Sequence, residues 1–231
     1  MRVLAFDSCF GAVSAAVRWQ AAGGDAIVRE AYEERDGGHA ERLLGLVDEV
    51  LGAAGLDYGN LDRIAVTLGP GSFTGVRTGL AAARGLALAL DRPLVGASSL
   101  AVMARRASHL LGSRHANEVL AVIVDARRDG FYVALFGADG GSLGPPELLT
   151  LDGALEAIGG RRTTAVGSGA ARLAALAGGH VAAMLDRLQP HARFLAMMAG
   201  DLTPLVPARP IYLRAVDARP QSAKTLLRAV T

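Results

Sequence analysis

Two aspartates stand where phosphate chemistry would want them. Asp7 closes the apolar run Val3 to Phe6, and Asp125 closes Val119 to Val124. A carboxylate at the end of a strand can hold magnesium or position water for phosphoryl transfer, provided that small residues beside it admit a phosphate. Here Asp7 is followed by Ser8, Cys9 and Phe10, and Asp125 by Ala126, Arg127 and Arg128, so neither turn has an Asp-x-Gly pattern. The bulk of Phe10 and Arg127 argues against a working ATPase, although Arg127 could meet a phosphate from a shifted position. A third candidate is the glycine-rich stretch Gly69 to Gly75, GPGSFTG, which lies between an expected strand and an expected helix. Glycine lets the backbone turn tightly with its N–H groups exposed, and a helix start adds unpaired donors and partial positive charge, so Gly71 and Ser72 could face an anion. The stretch lacks the Lys-Ser/Thr ending of a phosphate-binding P-loop and the G-x-G-x-x-G spacing. The competing reading is a tight connection in which Ser72 or Thr74 caps the helix. With Ser8 and the Gly167-Ser168-Gly169 turn, the candidate nucleotide contacts are Asp7, Ser8, Gly71, Ser72, Asp125, Arg127 and Gly167.

Other chemistries have less support. The histidines are His39, His109, His115, His180 and His191, and no two of them make HxxxH or HExxH, so no helix offers two imidazoles to a metal. Ser8, Ser72 and Cys9 sit in no G-x-S-x-G or comparable nucleophile pattern. The single cysteine excludes an internal disulfide and a thiolate zinc cage, and the opening MRVLAFDSC lacks the regions of a signal peptide, which together lead to the expectation of a cytoplasmic protein with no membrane association. A net charge of +2, with Lys224 the sole lysine, leaves only small clusters such as Arg127 with Arg128, Arg161 with Arg162, and the tail after Arg209. That is no basic stripe of the kind a phosphate backbone demands.

The elements that must position these residues follow from the apolar pattern. With 51% hydrophobic and 20% charged residues, much of it Ala and Gly, the chain of 231 residues fits a close-packed α/β protein of two small lobes. Extended runs at Val3 to Phe6, Ala12 to Trp19 and about Ala26 to Tyr32 predict an antiparallel meander. Leu43, Leu46, Val47, Val50 and Leu51 then recur at helical spacing over His39 to Ala54, with a stop near Gly55. Strand Arg63 to Leu68, helix Phe73 to Leu90, a strand beginning at Pro93 and helix Ser99 to Leu111 complete the order β-β-β-α-β-α-β-α. After Ser113 to Glu118 the plan restarts with Val119 to Asp125, Phe131 to Phe136, Glu147 to Leu151, a short helix capped by Asp152 and reaching Ile158, and Thr164 to Val166. VLAFDSCFGAVSAAV set beside AVIVDARRDGFYVALF suggests an internal duplication. The fold class expected is α/β, with two tandem ribonuclease-H-like lobes of mixed sheets flanked by helices. The first lobe covers 1–112 and the second 113–231, with a helix near 190–202 packing back on the first. This is the plan of sugar kinases, heat-shock ATPases and actin, and fold does not fix function.

Two helices carry surfaces that need a neighbour. Gly75, Gly79, Ala82, Ala83 and Gly85 line Phe73 to Leu90, and each glycine costs about 1 kcal/mol against alanine in a helix. Close approach of a neighbouring helix, in this chain or in a partner, would offset that cost. On His39 to Ala54, Leu44 widens the apolar face beyond one core contact, which suits either a partner helix or a broad internal core.

The segment GPGSFTGVRTGLAAARGLALAL resembles the central signature of the bacterial TsaB (YeaZ) family. VLAFDS is similar to that family's opening strand, GHAERLLGLVDEVL to its first helix, PLVGASSLAVMA to the next strand and helix, VDARRDGFYVALF to the start of its second lobe, and PIYLR to its C-terminal element. The resemblance implies the ASKHA (actin-like ATPase) fold and a non-catalytic role in making threonylcarbamoyladenosine, next to the anticodon of tRNAs that read codons starting with A. It implies a heterodimer with the catalytic subunit TsaD, whose HxxxH motif binds the metal, an ATPase partner TsaE, a homodimer when the chain is alone, and only indirect contact with tRNA. No cofactor is required, and ATP or ADP would enter at the complex interface. Carried over by position, the partner surface comprises His39, Leu43, Leu44, Val47, Val50 and Leu51 on the first helix and Phe73, Val76, Arg77, Leu80 and Ala83 on the second. No catalytic residue and no metal ligand is assigned. The alternative function is a stand-alone ATPase or small-molecule kinase using Asp7 and Asp125.

Overall fold

The structure, a computed structural model, describes residues 1–20, 23–112 and 115–214. Lys224 and the rest of the tail beyond Arg214 lie outside the described residues. The chain begins with three strands, β1 (Val3–Asp7), β2 (Ala12–Gln20) and β3 (Ala26–Glu34), and continues with α1 (His39–Ala54), β4 (Arg63–Thr67), α2 (Phe73–Leu90), β5 (Leu94–Ala97) and α3 (Ser99–Leu111). The second half repeats the plan as β6 (Val119–Asp125), β7 (Phe131–Phe136), β8 (Glu147–Leu149), α4 (Leu151–Ile158), β9 (Thr163–Val166), α5 (Ala170–Leu176), β10 (Val181–Ala183) and α6 (Ala192–Met198).

Among the described residues the strands form two five-stranded sheets, ordered β3-β2-β1-β4-β5 and β10-β9-β6-β7-β8. Matched strand for strand, the two orders are the same. In each, the central strand that ends in aspartate pairs antiparallel with its hairpin partner and parallel with the strand after the first helix. The duplication suggested by VLAFDS and AVIVDA is therefore a repeat of topology, and the fold is two ribonuclease-H-like units in the actin-like, ASKHA arrangement.

Each helix starts and stops where local chemistry dictates. α1 is bracketed by Gly38 and Gly55, both left-handed with φ of 70° and 64°, a conformation open to glycine and strained for most residues. Ser72 caps α2 by accepting the Gly75 N–H, and Ser98 caps α3 by accepting the Leu100 N–H. At α4 the cap is Thr150, one position outside the helix, and Asp152 is an acidic residue of the first turn, favoured there by the helix dipole.

Among the described residues, four apolar clusters form the interior. Leu43, Leu46, Val47, Val50 and Leu51 of α1 and Leu80 and Ala83 of α2 pack with Leu4, Phe6, Val13 and Val66 on one face of the first sheet. Burying each large aliphatic there stabilises the fold by about 1.5–3 kcal/mol. The other face of that sheet is covered by Ala192, Phe194, Leu195, Ala196 and Ala199 in and next to α6. In the second sheet, α4 and α5 cover one face and α3 the other, with Leu100, Met103, Ala104 and Ala107 against Leu120, Val122 and Ala134. Two elements have no counterpart in the expected order: α5 and β10, seven and three residues long, in the Ala- and Gly-rich stretch after Gly169.

Candidate functional site

A cleft of about 730 Å³ separates the two strand-ending turns. From the first half it is lined by Phe10 and Gly11, by Arg35 to Glu41 at the entry to α1, and by Gly71 to Gly75 at the entry to α2. From the second half come Asp125, Ala126, Arg127, Tyr132, Ser168 and Gln189. Four of the seven candidate nucleotide contacts, Gly71, Ser72, Asp125 and Arg127, thus come together. Gly167 does not line the cleft. Its neighbour Ser168 does, and the Ser168 hydroxyl oxygen accepts the Asp125 N–H at 2.9 Å.

Asp7 and Ser8 require a correction. Both sit beneath the floor of the cleft, 0% and 1% exposed, and neither lines it. Asp7 Oδ1 accepts the Thr67 hydroxyl at 2.5 Å and the Cys9 N–H at 3.3 Å, and the Cys9 thiol reaches Thr67 Oγ1 at 3.2 Å. Burial pushes the Asp7 carboxyl up to about 6, against the opposing pull of the Thr67 and Cys9 hydrogen bonds and of His39. Among the described residues, Asp7 Oδ2 and His39 Nε2 are buried without a hydrogen-bond partner. A sealed carboxylate tied to Thr67 braces the β1 to β2 turn against β4. It has no surface to offer a nucleotide.

Asp125 is its counterpart in topology and differs in setting. It is exposed, accepts the Arg127 N–H at 2.7 Å and lies 3.6 Å from the Arg172 guanidinium. Arg127, Arg128 and Asp129 have φ of 64°, 51° and 56°, three successive side chains in a region that costs of order 1–3 kcal/mol each. The turn is held by Ala126 N–H to Gly130 O at 2.8 Å and by Arg214, which donates to the Arg127 carbonyl at 2.7 Å. At the start of α2 the Ser72 N–H already goes to the Cys9 carbonyl at 2.7 Å and the Gly75 N–H to Ser72 Oγ at 3.0 Å. With these donors engaged, Gly69 to Gly75 is a tight capped connection more than an anion cradle. No group of three or more His, Cys, Asp or Glu side chains among the described residues is placed to hold a metal ion.

The glycines of α2 are explained inside the chain. A Cβ on Gly75 would overlap the Ser8 carbonyl oxygen, and one on Gly79 would lie 2.8 Å from Ser8 Oγ, whose hydroxyl donates to the Gly75 carbonyl at 2.8 Å. The close neighbour is the Ser8–Cys9 turn and not a second helix. At Gly85 a Cβ would meet nothing.

The carried-over partner surface divides on burial. Leu43, Val47, Val50, Leu51, Val76, Leu80 and Ala83 are 0–3% exposed and belong to the interior of this chain, so those seven are core contacts. The reason is geometric: the i, i+3, i+4 stripe of each helix turns to its own sheet. Only residues out of that stripe face solvent. Leu44 is 49% exposed, Phe73 42% and Leu88 86%, with Arg77 exposed and His39 half-buried beside the cleft. Tyr212, 41% exposed, joins them from the C-terminal segment. Arg77 lies 3.6 Å over the Phe73 ring and donates to the Tyr212 hydroxyl at 2.9 Å. Tyr212 and Leu88 are absent from the sequence-based assignment. Leu88 extends the exposed Phe73, Arg77, Ala81 and Arg84 stripe, a signal present in the helical spacing, whereas the return of Tyr212 to α2 depends on tertiary structure.

No helix among the described residues is long and apolar enough to cross a membrane. A family model described as TsaD, tRNA N6-adenosine threonylcarbamoyltransferase, matches residues 33–146. The tRNA threonylcarbamoyladenosine biosynthesis protein TsaB of Escherichia coli (strain K12) is 38% identical over 139 residues, which are 60% of this chain and 56% of that protein. The chain thus spans about half the length of this curated relative. Two solved structures from Pseudomonas aeruginosa cover more. YeaZ superposes with a TM-score of 0.74 at 30% identity, and a protein described as similar to peptidase YEAZ with 0.77 at 31%; each match covers 92% of this chain and 99% of the other. On sequence, topology and near-complete structural overlap, the chain belongs to the TsaB/YeaZ family.

Proposed function

We propose that this chain is an accessory subunit in the synthesis of threonylcarbamoyladenosine on tRNA, where it holds and activates a TsaD-type catalytic subunit through the exposed side of α1 and α2. The observation that carries this reading is the set of large side chains left outside the core stripe of the two helices: Leu44, Phe73 and Leu88, with Arg77 and Tyr212. Aromatic residues and arginine are the types that dominate binding energy at interfaces. The burial of Asp7 supports a role without turnover in the isolated chain, because the first of the two carboxylates a phosphotransferase would use is closed off. In this reading TsaE joins at the subunit interface, a homodimer forms through the same face when the chain is alone, tRNA is reached through the complex, and any ATP or ADP is held where the subunits meet.

Mixing the chain with its own organism's TsaD and measuring complex formation by gel filtration and calorimetry tests the proposal. Leu44→Asp and Phe73→Glu are each expected to weaken the complex by at least about 2 kcal/mol, roughly thirtyfold, with melting temperature unchanged in Leu44→Asp, whose site is exposed. Arg162→Asp, on the second lobe, is expected to leave the complex intact. An unaltered complex in both helix variants sinks the interface. Calorimetry with Mg-ATP and an assay for phosphate release address catalysis: turnover by the isolated chain that Asp7→Ala abolishes would overturn the accessory role.

A further inference from the structure

The last helix of each half is packed on the sheet of the other half. α3 follows the first sheet in sequence, yet Leu100, Met103, Ala104 and Ala107 lie against β6 and β7, while its Val102 stays in the first sheet's cluster. α6 follows the second sheet and lies against β1 and β2, and the two helices touch each other. We propose that this exchange, with the segment Leu185 to His191, is a fixed strut that sets the spacing of the two sheets, so that the cleft is a rigid, permanently open platform and does not close round what enters it.

Hinged closure requires a few residues whose backbone angles absorb a rotation while few contacts cross the boundary. The crossing at Leu185 to Ala192 is the opposite of that. Leu188 is buried in the second sheet's cluster and Ala192 in the first's, so the chain passes from one core to the other within a single short stretch. Between them Gln189 is held from both sides. Its carbonyl accepts from Arg106 of α3 at 2.9 Å, and its side-chain oxygen accepts from the Gly11 N–H of the β1 to β2 turn at 3.0 Å. The His191 ring then stacks on Tyr32 of β3, with centroids 4.9 Å apart and planes within 4°, and Phe194 meets its edge at 5.9 Å. Arg106 also lies over the Tyr32 ring at 5.1 Å. The Ala192 N–H donates to the buried Ser14 hydroxyl at 3.0 Å. At the other end of the exchange, Ser99 N–H donates to the Gly69 carbonyl at 2.9 Å and Ser99 Oγ to that of Pro70 at 2.5 Å, fixing the start of α3 to the first lobe. Rotating one sheet on the other would pull α3 out of one of the two cores it joins, since Val102 lies in the first sheet's cluster and Leu100, Met103, Ala104 and Ala107 in the second's, and would draw Leu188 away from the second core or Gln189 away from Gly11.

Spin labels on the full chain read the spacing directly. Glu41→Cys, at the cleft edge of α1, and Arg172→Cys, on α5, place one label on each lobe, while Cys9, at 1% exposure, stays unlabelled. Pulsed electron spin resonance is expected to give one narrow distance distribution, unchanged by millimolar Mg-ATP. Arg106→Ala with Gln189→Ala, confirmed folded by circular dichroism, is expected to broaden it. Two distances in the wild-type background, or a shift on adding Mg-ATP, would overturn the strut, as would a distribution that stays narrow in the double variant. The wild-type measurement stands alone if the double variant does not fold. The outcome is independent of whether the chain binds a TsaD-type partner.

Discussion

Gly75→Ala is expected to cost about 3 kcal/mol or more and to leave little folded protein, whereas Gly85→Ala in the same helix is expected to add about 1 kcal/mol. The substitution is the same, and so is the gain in helix propensity, so the difference lies entirely in what the new methyl meets. At Gly75 it runs into the Ser8 carbonyl oxygen. That oxygen belongs to a turn pinned by the Ser8 hydroxyl on the Gly75 carbonyl and by the Ser72 N–H on the Cys9 carbonyl, so it cannot retreat without losing both bonds. At Gly85 there is open space, and the methyl only removes backbone freedom from the unfolded chain. Gly79→Ala falls between: its methyl displaces Ser8 Oγ from the Gly75 carbonyl, a loss of about 1–2 kcal/mol. Urea titrations of the three variants give the order. A Gly75→Ala protein as stable as wild type would show that α2 does not approach the β1 to β2 turn this closely.

That contrast also shows what a sequence can and cannot carry. The limits of α1, α2 and α3 are legible because each is punctuated by residues with one dominant use: Gly38 and Gly55 around α1, Ser72 before α2, Ser98 before α3. The repeat of strand, aspartate and hairpin is legible for the same reason. α5 and β10 are not, since Ala- and Gly-rich stretches of seven and three residues carry no period long enough to register. The site is harder. An apolar stripe looks alike whether it meets a sheet or a partner, and Leu43, Val47 and Leu80 meet the sheet. Leu44 is the useful exception, because it lies off the stripe. Nothing local distinguishes Asp7 from Asp125. One is sealed by Thr67, far along the chain, and the other faces the cleft, and only the paired strands reveal which.

Two buried groups, Asp7 and His191, have opposite effects on stability as pH changes, and separating them is expected to produce profiles of opposite slope. Asp7 titrates near 6 in the fold because it is buried, above its ordinary 3.8. The folded state therefore holds that proton more tightly than the unfolded chain does. The associated stabilisation, about 3 kcal/mol at 1.36 kcal/mol per pH unit, is complete below pH 3.8 and is lost as pH rises through about 6. His191 is the reverse. Burial, then Arg106 and Arg193, push it down from 6.5 to about 4, and its Nδ1 must stay unprotonated to accept the Arg193 N–H at the start of α6. Its contribution, of similar size at about 3 kcal/mol, is complete above pH 6.5 and is lost as pH falls through about 4. Between pH 4 and 6 the two slopes nearly cancel in the wild-type chain. Asp7→Asn keeps an acceptor for the Thr67 hydroxyl and removes the titration, so its stability relative to wild type is expected to climb with pH by about 3 kcal/mol across this window. His191→Asn keeps a capping oxygen for α6 and loses the imidazole. Relative to wild type its stability is expected to climb as pH falls, by a similar amount, whatever constant penalty the lost Tyr32 stack adds. Taking each variant as a difference from wild type cancels the surface carboxylates, which are common to both. Denaturant midpoints measured from about pH 4 to 7 on the three proteins decide the matter: parallel profiles would mean that neither group titrates out of place, and slopes of the same sign would mean that one of the two burials is wrong.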